Sequence, residues 1–411
     1  MKINKHCFPN GLRLVHHEDT STQMVALNIV YDVGARDEHP EHTGFAHLFE
    51  HLMFGGSAHI PDYDTPLQLA GGENNAWTNN DITNYYLTVP KTNVETAFWL
   101  ESDRMLELTF SEQGLEVQRG VVMEEFKQRC LNQPYGDIGH LFRPLAFRVH
   151  PYRWPTIGKE LSHIEQATLD EVKSFFYRFY APNNAVLAVT GNISWDETVK
   201  LTEKWFAPIP RRDVPVRQLP QEPEQTQERR LTVERNVPLD ALFMGYHMCS
   251  REGADYYAFD ILSDILSNGR SSRLNRRLVQ EQNIFSGIDA YISGTRDAGL
   301  LQISGKPAAG VSLEQAEAAV RKELEELQQS PVDGQELEKV KNKFESTQIF
   351  GNINYLNVAT NLAWFELTGK AEDIDLEVER YRSVTTEQLH TVAQRTFCES
   401  NAVVLYYKSD K

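Results

Sequence analysis

The strongest constraint on the fold is an internal repeat with a constant spacing. Residues 168–184 match residues 385–401 in their order of polar and apolar side chains. An earlier run, residues 25–31, matches residues 242–248 at the same spacing. Because two separate segments match at one spacing, the chain is predicted to fold into two similar α/β halves.

The length of the chain and one unusual segment agree with this division. At 411 residues the chain is long for a single hydrophobic core. Residues 208–228 are rich in proline and polar side chains and poor in apolar ones, which is typical of a linker. We therefore predict an N-terminal domain over residues 1–207 and a C-terminal domain over residues 229–411.

A predicted helix in the first half contains the motif H-x-x-E-H, formed by His47, Glu50 and His51. Apolar residues recur around it at helical spacing. Residues four apart lie on one helix face, so the two histidines can bind one ion, while Glu50 can take a proton from a metal-bound water. The motif is a known pattern of catalytic zinc sites. The alternative, two core histidines and a salt-bridged glutamate, is costly unless a partner pairs these groups.

The second half lacks this motif. No H-x-x-E-H occurs after the predicted linker, and the positions opposite the motif at the repeat spacing hold Asp264, Ser267 and Asn268. Residues 1–207 are therefore the predicted zinc-binding catalytic domain. Residues 229–411 are the predicted structural repeat without metal ligands.

Composition argues against several classes of function. The net charge of −17 disfavours nucleic acid and anionic membranes as partners. The four cysteines are scattered without a C-x-x-C pair, which favours buried thiols over a disulfide framework or a zinc cluster. No apolar run is long enough to span a membrane, and no signal peptide is visible. We predict a cytoplasmic protein, although a trimmed periplasmic or exported form would look the same.

Two further motifs accompany the zinc motif. Residues 118–125 read Gln-Arg-Gly-Val-Val-Met-Glu-Glu, and residues 71–86 contain a second run: Gly71-Gly72, Asn75-Ala76, Thr78, Asp81, Thr83 and Tyr85-Tyr86. With these motifs and its duplicated half, the chain resembles the pitrilysin/insulinase family of zinc metallopeptidases. It is most similar to the half-size branch that includes the mitochondrial processing peptidase subunits. The resemblance covers essentially the whole chain. It implies an α+β fold of two homologous α/β sandwich halves, each a mostly antiparallel sheet flanked by helices.

The resemblance also implies roles for individual residues. His47, His51 and Glu125 would be the ligands of Zn²⁺, with the fourth position open for water. Glu50 would be the general base that later passes its proton to the leaving amine. Glu124 competes with Glu125 for the ligand role, but the spacing from the preceding pair of valines favours Glu125.

Three more positions carry expectations from the family. Many members have a supporting glutamate where this chain has Gln118, whose neutral amide can form hydrogen bonds but cannot tune the charge of the metal in the same way. In the family, the Asn-Ala segment lies on an edge strand that pairs with the substrate backbone. Asn75 and Ala76 are therefore candidates for peptide binding by strand addition, and an ordinary turn asparagine is the alternative for Asn75.

One departure from the family bears on assembly. An arginine and a tyrosine from the second half complete the family's active site, but the corresponding positions here hold Val279 and Ser286. Arg276, Arg277 and Tyr291 lie close by in the sequence, so a shifted register stays open. Half-size members work as dimers that enclose a chamber. We therefore predict a homodimer or a heterodimer with a second half-size subunit that supplies the Arg/Tyr pair.

The leading hypothesis is a zinc-dependent endopeptidase that hydrolyses short or unfolded peptides. The main alternative is a non-catalytic assembly subunit, although such members typically lose the zinc motif that this chain keeps. A second alternative is a peptide-binding module that depends on its partner for turnover. A zinc hydrolase of other substrates would leave the Asn-Ala run unexplained. Nitrogen and carboxylate ligands also suit several other divalent metals.

Overall fold

The structure, a computed structural model, describes residues 1–410. The strands are β1 (Asn4–Cys7), β2 (Arg13–Glu18), β3 (Met24–Tyr31), β4 (Glu73–Thr78), β5 (Thr83–Pro90), β6 (Ala185–Gly191), β7 (Arg229–Arg235), β8 (Ala241–Met248), β9 (Phe285–Ile292), β10 (Gly299–Pro307) and β11 (Ala402–Ser409). The α-helices are α1 (Phe45–Leu52), α2 (Asp64–Leu69), α3 (Val94–Leu106), α4 (Glu112–Phe126), α5 (Ile138–Ala146), α6 (Leu161–Glu165), α7 (Leu169–Phe179), α8 (Trp195–Trp205), α9 (Tyr256–Ser267), α10 (Leu313–Gln329), α11 (Gly334–Gly351), α12 (Tyr355–Thr368), α13 (Glu377–Ser383) and α14 (Thr386–Thr396). None of the helices within residues 1–410 is both long and apolar enough to cross a lipid bilayer.

The chain forms two compact units, and unit 1 carries the zinc motif. Unit 1 comprises Met1–Leu131, Trp154–Pro220 and Ile349–Leu376. Its six-stranded sheet has the order β1-β2-β6-β3-β5-β4. Neighbouring strands are antiparallel except β2 and β6, which are parallel. Strand β3 is apolar except for Asn28 and is buried along nearly its whole length, as expected of a strand that is covered on both faces. Strand β4 lies at the edge of the sheet and pairs only with β5.

Unit 2 repeats this architecture. It comprises Asn132–Arg153, Gln221–Gln348 and the chain from Glu377 onward. Its five-stranded sheet has the order β7-β11-β8-β10-β9, and only β7 and β11 are parallel. The first residues of β3 and β8 are separated by the repeat spacing found in the sequence, as are those of helices α7 and α14. The predicted fold of two similar α/β halves with mostly antiparallel sheets is confirmed.

The two repeats exchange one helix. On one face of the unit 1 sheet, helix α12 packs on buried residues of β2, β3 and β6. In unit 2, helix α5 packs in the same way on β7, β8 and β11. The first residues of α5 and α12 are again separated by the repeat spacing, so the two helices are equivalent elements of the repeats. Each sheet is therefore covered on this face by the helix that the other repeat contributes, and the units interleave along the sequence.

The proline-rich segment contributes specific contacts to unit 1. Residues 210–228 contain neither helix nor strand. Arg212 nevertheless donates a hydrogen bond to the Leu106 carbonyl oxygen at 2.7 Å, and Arg217 Nη1 donates to Asp32 Oδ2 at 2.8 Å. Its first half therefore packs on the zinc-motif unit. The boundaries 1–207, 208–228 and 229–411 stay a prediction about domain organisation.

Candidate metal centre

Helix α1 carries the H-x-x-E-H motif, and a glycine precedes its first residue. Gly44 precedes the helix with a φ of 87°, in the left-handed region. A Cβ atom at this position would lie 2.6 Å from Ile164 Cδ1, so the entry to the helix requires glycine. The apolar face of α1, which includes Phe49, is buried in the core and fixes the rotation of the helix. As a result the imidazole rings of His47 and His51 lie together, with ring centres 4.9 Å apart.

Glu125 reaches the two histidines from helix α4. It lies one residue before the end of this helix, where a π-helical turn follows at Lys127–Leu131, and such turns are frequent at functional sites. Glu125 Oε1 forms an ion pair with Arg129 Nη2 at 2.9 Å. Glu125 Oε2 lies 3.5 Å from His47 Nε2 and 3.4 Å from His51 Nε2. The structure therefore brings together these three predicted ligands.

The donor atoms fit one zinc ion. One donor atom from each of His47, His51 and Glu125 lies within 4.8 Å of the others. Two ligands held tetrahedrally at 2.0–2.1 Å from zinc are about 3.3–3.4 Å apart, close to the observed separations between Nε2 and Oε2. His47 would bind through Nε2, and its buried Nδ1 atom has no hydrogen-bond partner among residues 1–410. Residues 1–410 contain no other group of three His, Cys, Asp or Glu side chains that could hold a metal ion.

The protonation states at neutral pH also suit a metal. Burial lowers the pKa of His47 to about 4, so its imidazole is neutral. The approach of His47 Nε2 to Glu125 is therefore not an ion pair at pH 7. A hydrogen bond from His51 is the main cause that lowers the pKa of Glu125 below its ordinary value. Neutral imidazoles and an ionised carboxylate are the forms that bind a metal ion.

Glu50 lies on α1 beside the edge strand of the sheet. Burial raises the pKa of Glu50 above its ordinary value, while a hydrogen bond with the Thr78 side chain acts in the opposite direction. Thr78 is the last residue of β4. The sequence interpretation gave Thr78 no role, although its place in the run of residues 71–86 was a signal that could have indicated one.

Glu124 and Gln118, the other two residues of α4 with a predicted role at the site, lie outside the group of three donor atoms. The Glu124 side chain is 63% exposed and pairs with Lys127 Nζ at 2.5 Å, so it points away from the histidines. Gln118 is partly buried, two helical turns before Glu125. Neither residue contributes to the group of three donor atoms.

The Asn-Ala pair lies on the free edge of the sheet. The Asn79 N–H donates to the Ile82 carbonyl oxygen at 3.0 Å and closes the turn between β4 and β5. Backbone hydrogen bonds alternate along an antiparallel pair, so Asn75 bonds to β5 and the backbone groups of Ala76 point outward. The exposed Asn75 side chain accepts a hydrogen bond from the Ala76 N–H at 2.8 Å through its own Oδ1.

The equivalent region of unit 2 has different chemistry. Asn268 Nδ2 donates to Asp264 Oδ1 at 2.7 Å, and the Lys343 ammonium group contacts Asn268 Oδ1. Ser267 Oγ exchanges hydrogen bonds with the backbone of Ala290. An amide, a carboxyl group and an ammonium group therefore occupy this region.

The two arginines and the tyrosine near the shifted register have other contacts. Arg276 Nε lies 3.6 Å from Glu281 Oε1. Arg277 Nη1 pairs with Glu323 Oε2 at 2.6 Å and with Glu326 Oε2 at 2.5 Å, which ties it to helix α10. Tyr291 lies half-exposed on the edge strand β9, with its hydroxyl 3.4 Å from Gln302 Oε1.

Comparison with known proteins decides the family. The model described as Insulinase (Peptidase family M16) matches residues 13–135, and the one described as Peptidase M16 inactive domain matches residues 166–344. This chain belongs to the M16 peptidase family. The first match contains all three converging side chains and Glu50. The second lies mostly in the half that lacks the motif.

M16 relatives of similar length are named as zinc proteases. The zinc protease PqqE of Helicobacter pylori is 26% identical over 405 residues, which cover 97% of this chain and 91% of that protein. An uncharacterized zinc protease of Bacillus subtilis, YmxG, is 25% identical over 407 residues and is covered to 98%, as is this chain.

Solved structures agree with this M16 membership. The crystal structure of a protease from Helicobacter pylori has a TM-score of 0.94 at 26% identity and covers 99% of both chains. Pitrilysin shares the fold with a TM-score of 0.79 at 17% identity, and the match covers 99% of this chain but only 45% of pitrilysin. The chain is therefore a half-size M16 protein.

Proposed function

We propose that this M16 protein is a zinc-dependent endopeptidase that hydrolyses short or unfolded peptides. The observation that carries the proposal is the convergence of His47, His51 and Glu125 beside Glu50. The three converging side chains would hold zinc. Zinc bound there would supply the polarisation that acidifies a water molecule and activates a peptide carbonyl.

Glu50 is the proposed general base. Its partial burial raises its pKa above the ordinary value, which brings the carboxylate closer to the pH at which a base works well. Its carboxylate would take a proton from water and later deliver it to the amine of the leaving peptide. The hydrogen bond with Thr78 would orient the carboxylate during both transfers.

The free edge of β4 is the proposed binding site for the peptide backbone. Side chains alternate between the faces of a strand, so Ala76 and Thr78 lie on the same face of the sheet. Because Thr78 contacts Glu50, a peptide strand added along β4 would pass the proposed base. The incoming strand would replace Asn75 Oδ1 as the acceptor for the Ala76 N–H, and the Asn75 amide would then be free to contact the peptide.

A dimer with a second half-size subunit is part of this proposal. Arg277 is engaged by two glutamates of its own unit, and Val279 and Ser286 offer no charged group. A partner subunit that supplies an Arg/Tyr pair would complete the transition-state contacts.

A cytoplasmic location of this protein stays a prediction. One structural relative, PqqL of Escherichia coli, is described as periplasmic.

Removal and return of zinc tests the proposed chemistry. The protein is treated with a chelator, dialysed, and assayed on an internally quenched fluorescent peptide library with and without one equivalent of zinc. Cleavage that is lost on chelation and restored by zinc supports a zinc endopeptidase. Cleavage that is insensitive to chelation would rule out the proposed use of zinc. Zinc binding without cleavage would favour the partner-dependent alternative, and the assay would be repeated with co-purified partners.

A further inference from the structure

The N-terminus of helix α1 is capped from a distance. Gly44 has no side chain to accept a hydrogen bond from the first turn, which leaves the first N–H groups of the helix without a local acceptor. Glu38 fills this role with both carboxyl oxygens. Its Oε2 accepts a hydrogen bond from the Gly44 N–H at 3.0 Å, and its Oε1 accepts one from the Ala46 N–H at 2.8 Å.

The carboxyl group of Glu38 is buried, which makes these hydrogen bonds important. Glu38 is only 7% exposed. The Trp154 indole N–H donates to the Ala35 carbonyl oxygen at 2.9 Å, and this side chain also hydrogen-bonds Glu38. A buried polar group that loses a partner pays the full desolvation penalty of that group. The first turn of α1 and the loop before it are therefore held in one arrangement.

The loop that carries Glu38 is itself anchored. Asp37 Oδ2 accepts a hydrogen bond from the Gly34 N–H at 3.0 Å, and Asp37 Oδ1 pairs with Arg217 Nε at 2.5 Å. Arg217 also pairs with Asp32 at 2.8 Å. Arg217 belongs to the proline-rich segment. This segment therefore contacts Asp37, the residue before Glu38, and so helps to hold the loop that caps helix α1.

We propose that Glu38 is a positioning residue that fixes the first turn of α1 so that His47 is presented for metal binding. His47 directly follows Ala46, whose N–H Glu38 holds, and its Nε2 lies 3.5 Å from Glu125 Oε2. Metal ligands must be held within a few tenths of an ångström, and groups that orient ligands affect metal affinity. This inference rests on the proposed zinc site.

The Glu38→Gln substitution tests the inference by its effect on zinc affinity. Glutamine keeps one acceptor oxygen but turns an NH₂ group towards the second backbone N–H, so one of the two hydrogen bonds is lost. The zinc dissociation constant is measured by competition with a chromophoric chelator at pH 9, above the pKa of about 8 to which burial raises Glu38, so that both carboxylate oxygens act as acceptors. We expect it to rise at least about tenfold, the low end of the effect of losing a group that orients a metal ligand.

Asn28→Ala provides a matched control for general loss of stability. Asn28 and Asn84 form a buried pair in the same unit, with two hydrogen bonds of 2.8 and 3.0 Å. This pair lies on the opposite face of the sheet, where Thr360 of α12 contacts Asn28 at 3.1 Å. We expect the control to lower the unfolding temperature while its zinc dissociation constant stays within about twofold of wild type, since the site lies beyond the sheet.

Arg217→Lys keeps the test decisive if Glu38→Gln does not fold. Lysine keeps the charge but loses the forked contact with Asp37 and Asp32, so we expect a smaller rise in the zinc dissociation constant. Wild-type zinc binding with unchanged affinity in every folded variant would overturn the role of Glu38 and leave the zinc site standing. Absence of zinc binding in the wild type would instead overturn the proposed function and this inference together.

Discussion

His51 Nε2 lies 3.4 Å from Glu125 Oε2, although the two residues belong to different helices that are far apart in the sequence. Packing of α1 and α4 in unit 1 creates this proximity. With His47 it gives two imidazoles and one carboxylate that converge on a single point, and Glu50 and a free sheet edge lie beside them.

Replacement of Glu125 is expected to abolish tight zinc binding, whereas replacement of its neighbour is not. Glu125→Gln replaces the charged carboxylate of the group of three by a neutral amide, which is a weaker metal ligand, and Glu124→Gln changes an exposed side chain paired with Lys127. We expect zinc affinity to fall more than about 100-fold in Glu125→Gln, because even loss of a supporting group costs 10–100-fold. Isothermal titration with zinc measures both variants. Similar losses in the two variants would contradict the assignment of Glu125 as the ligand.

Ala76→Pro is expected to weaken peptide binding while the sheet stays intact. The Ala76 N–H points away from β5, so proline removes an outward donor without removing a ladder hydrogen bond. Loss of one hydrogen bond worth about 0.5–1.5 kcal/mol predicts a rise in KM of roughly 2- to 12-fold.

Asn75→Pro is the matched comparison, because it removes an N–H that bonds to β5. We expect this variant to lower the unfolding temperature much more than Ala76→Pro. If Ala76→Pro leaves KM for long peptides unchanged, the peptide does not pair with this edge.

The contribution of Glu38 to stability is expected to depend on pH. Burial raises the pKa of Glu38 from 4.5 to about 8. Because the folded form holds the proton more tightly, the stabilisation is complete below pH 4.5 and is lost as the pH rises through 8. The difference in unfolding free energy between wild type and Glu38→Gln should therefore shrink by about 4 kcal/mol between pH 5 and pH 8, at 1.36 kcal/mol per pKa unit.

Urea denaturation of the metal-free proteins across this pH range measures the difference. A difference that stays constant or grows with pH would show that burial does not govern the titration of Glu38.

The sequence was most informative where the determinants are local or repeated. The spacing of His47 and His51 is fixed by the helix itself, and the repeat spacing predicted two halves with equivalent strands. The third ligand comes from another helix, and only the resemblance to a known family indicated Glu125. Spacing alone could not identify it, because folding brings the two helices together.

Other features of the structure were not predicted, because the sequence carries only weak signals for them. The exchange of α5 and α12 depends on which of two similar sheets an apolar helix packs against, and its pattern does not encode that choice. Glu38 lies six residues before Gly44 and caps the helix through a folded loop, so no capping spacing marks it. Arg217 lies in a segment whose composition predicted only a linker.

The most direct test of the account is a comparison of wild type with Glu50→Gln, in which bound zinc per chain and peptide cleavage are measured on the same samples. Glu50 is not among the converging donors, so we predict one zinc per chain in both proteins. Cleavage should fall by about 10²–10⁴-fold in Glu50→Gln, the usual contribution of a general base. Equal cleavage by the two zinc-loaded proteins, or no zinc in either, would contradict the account.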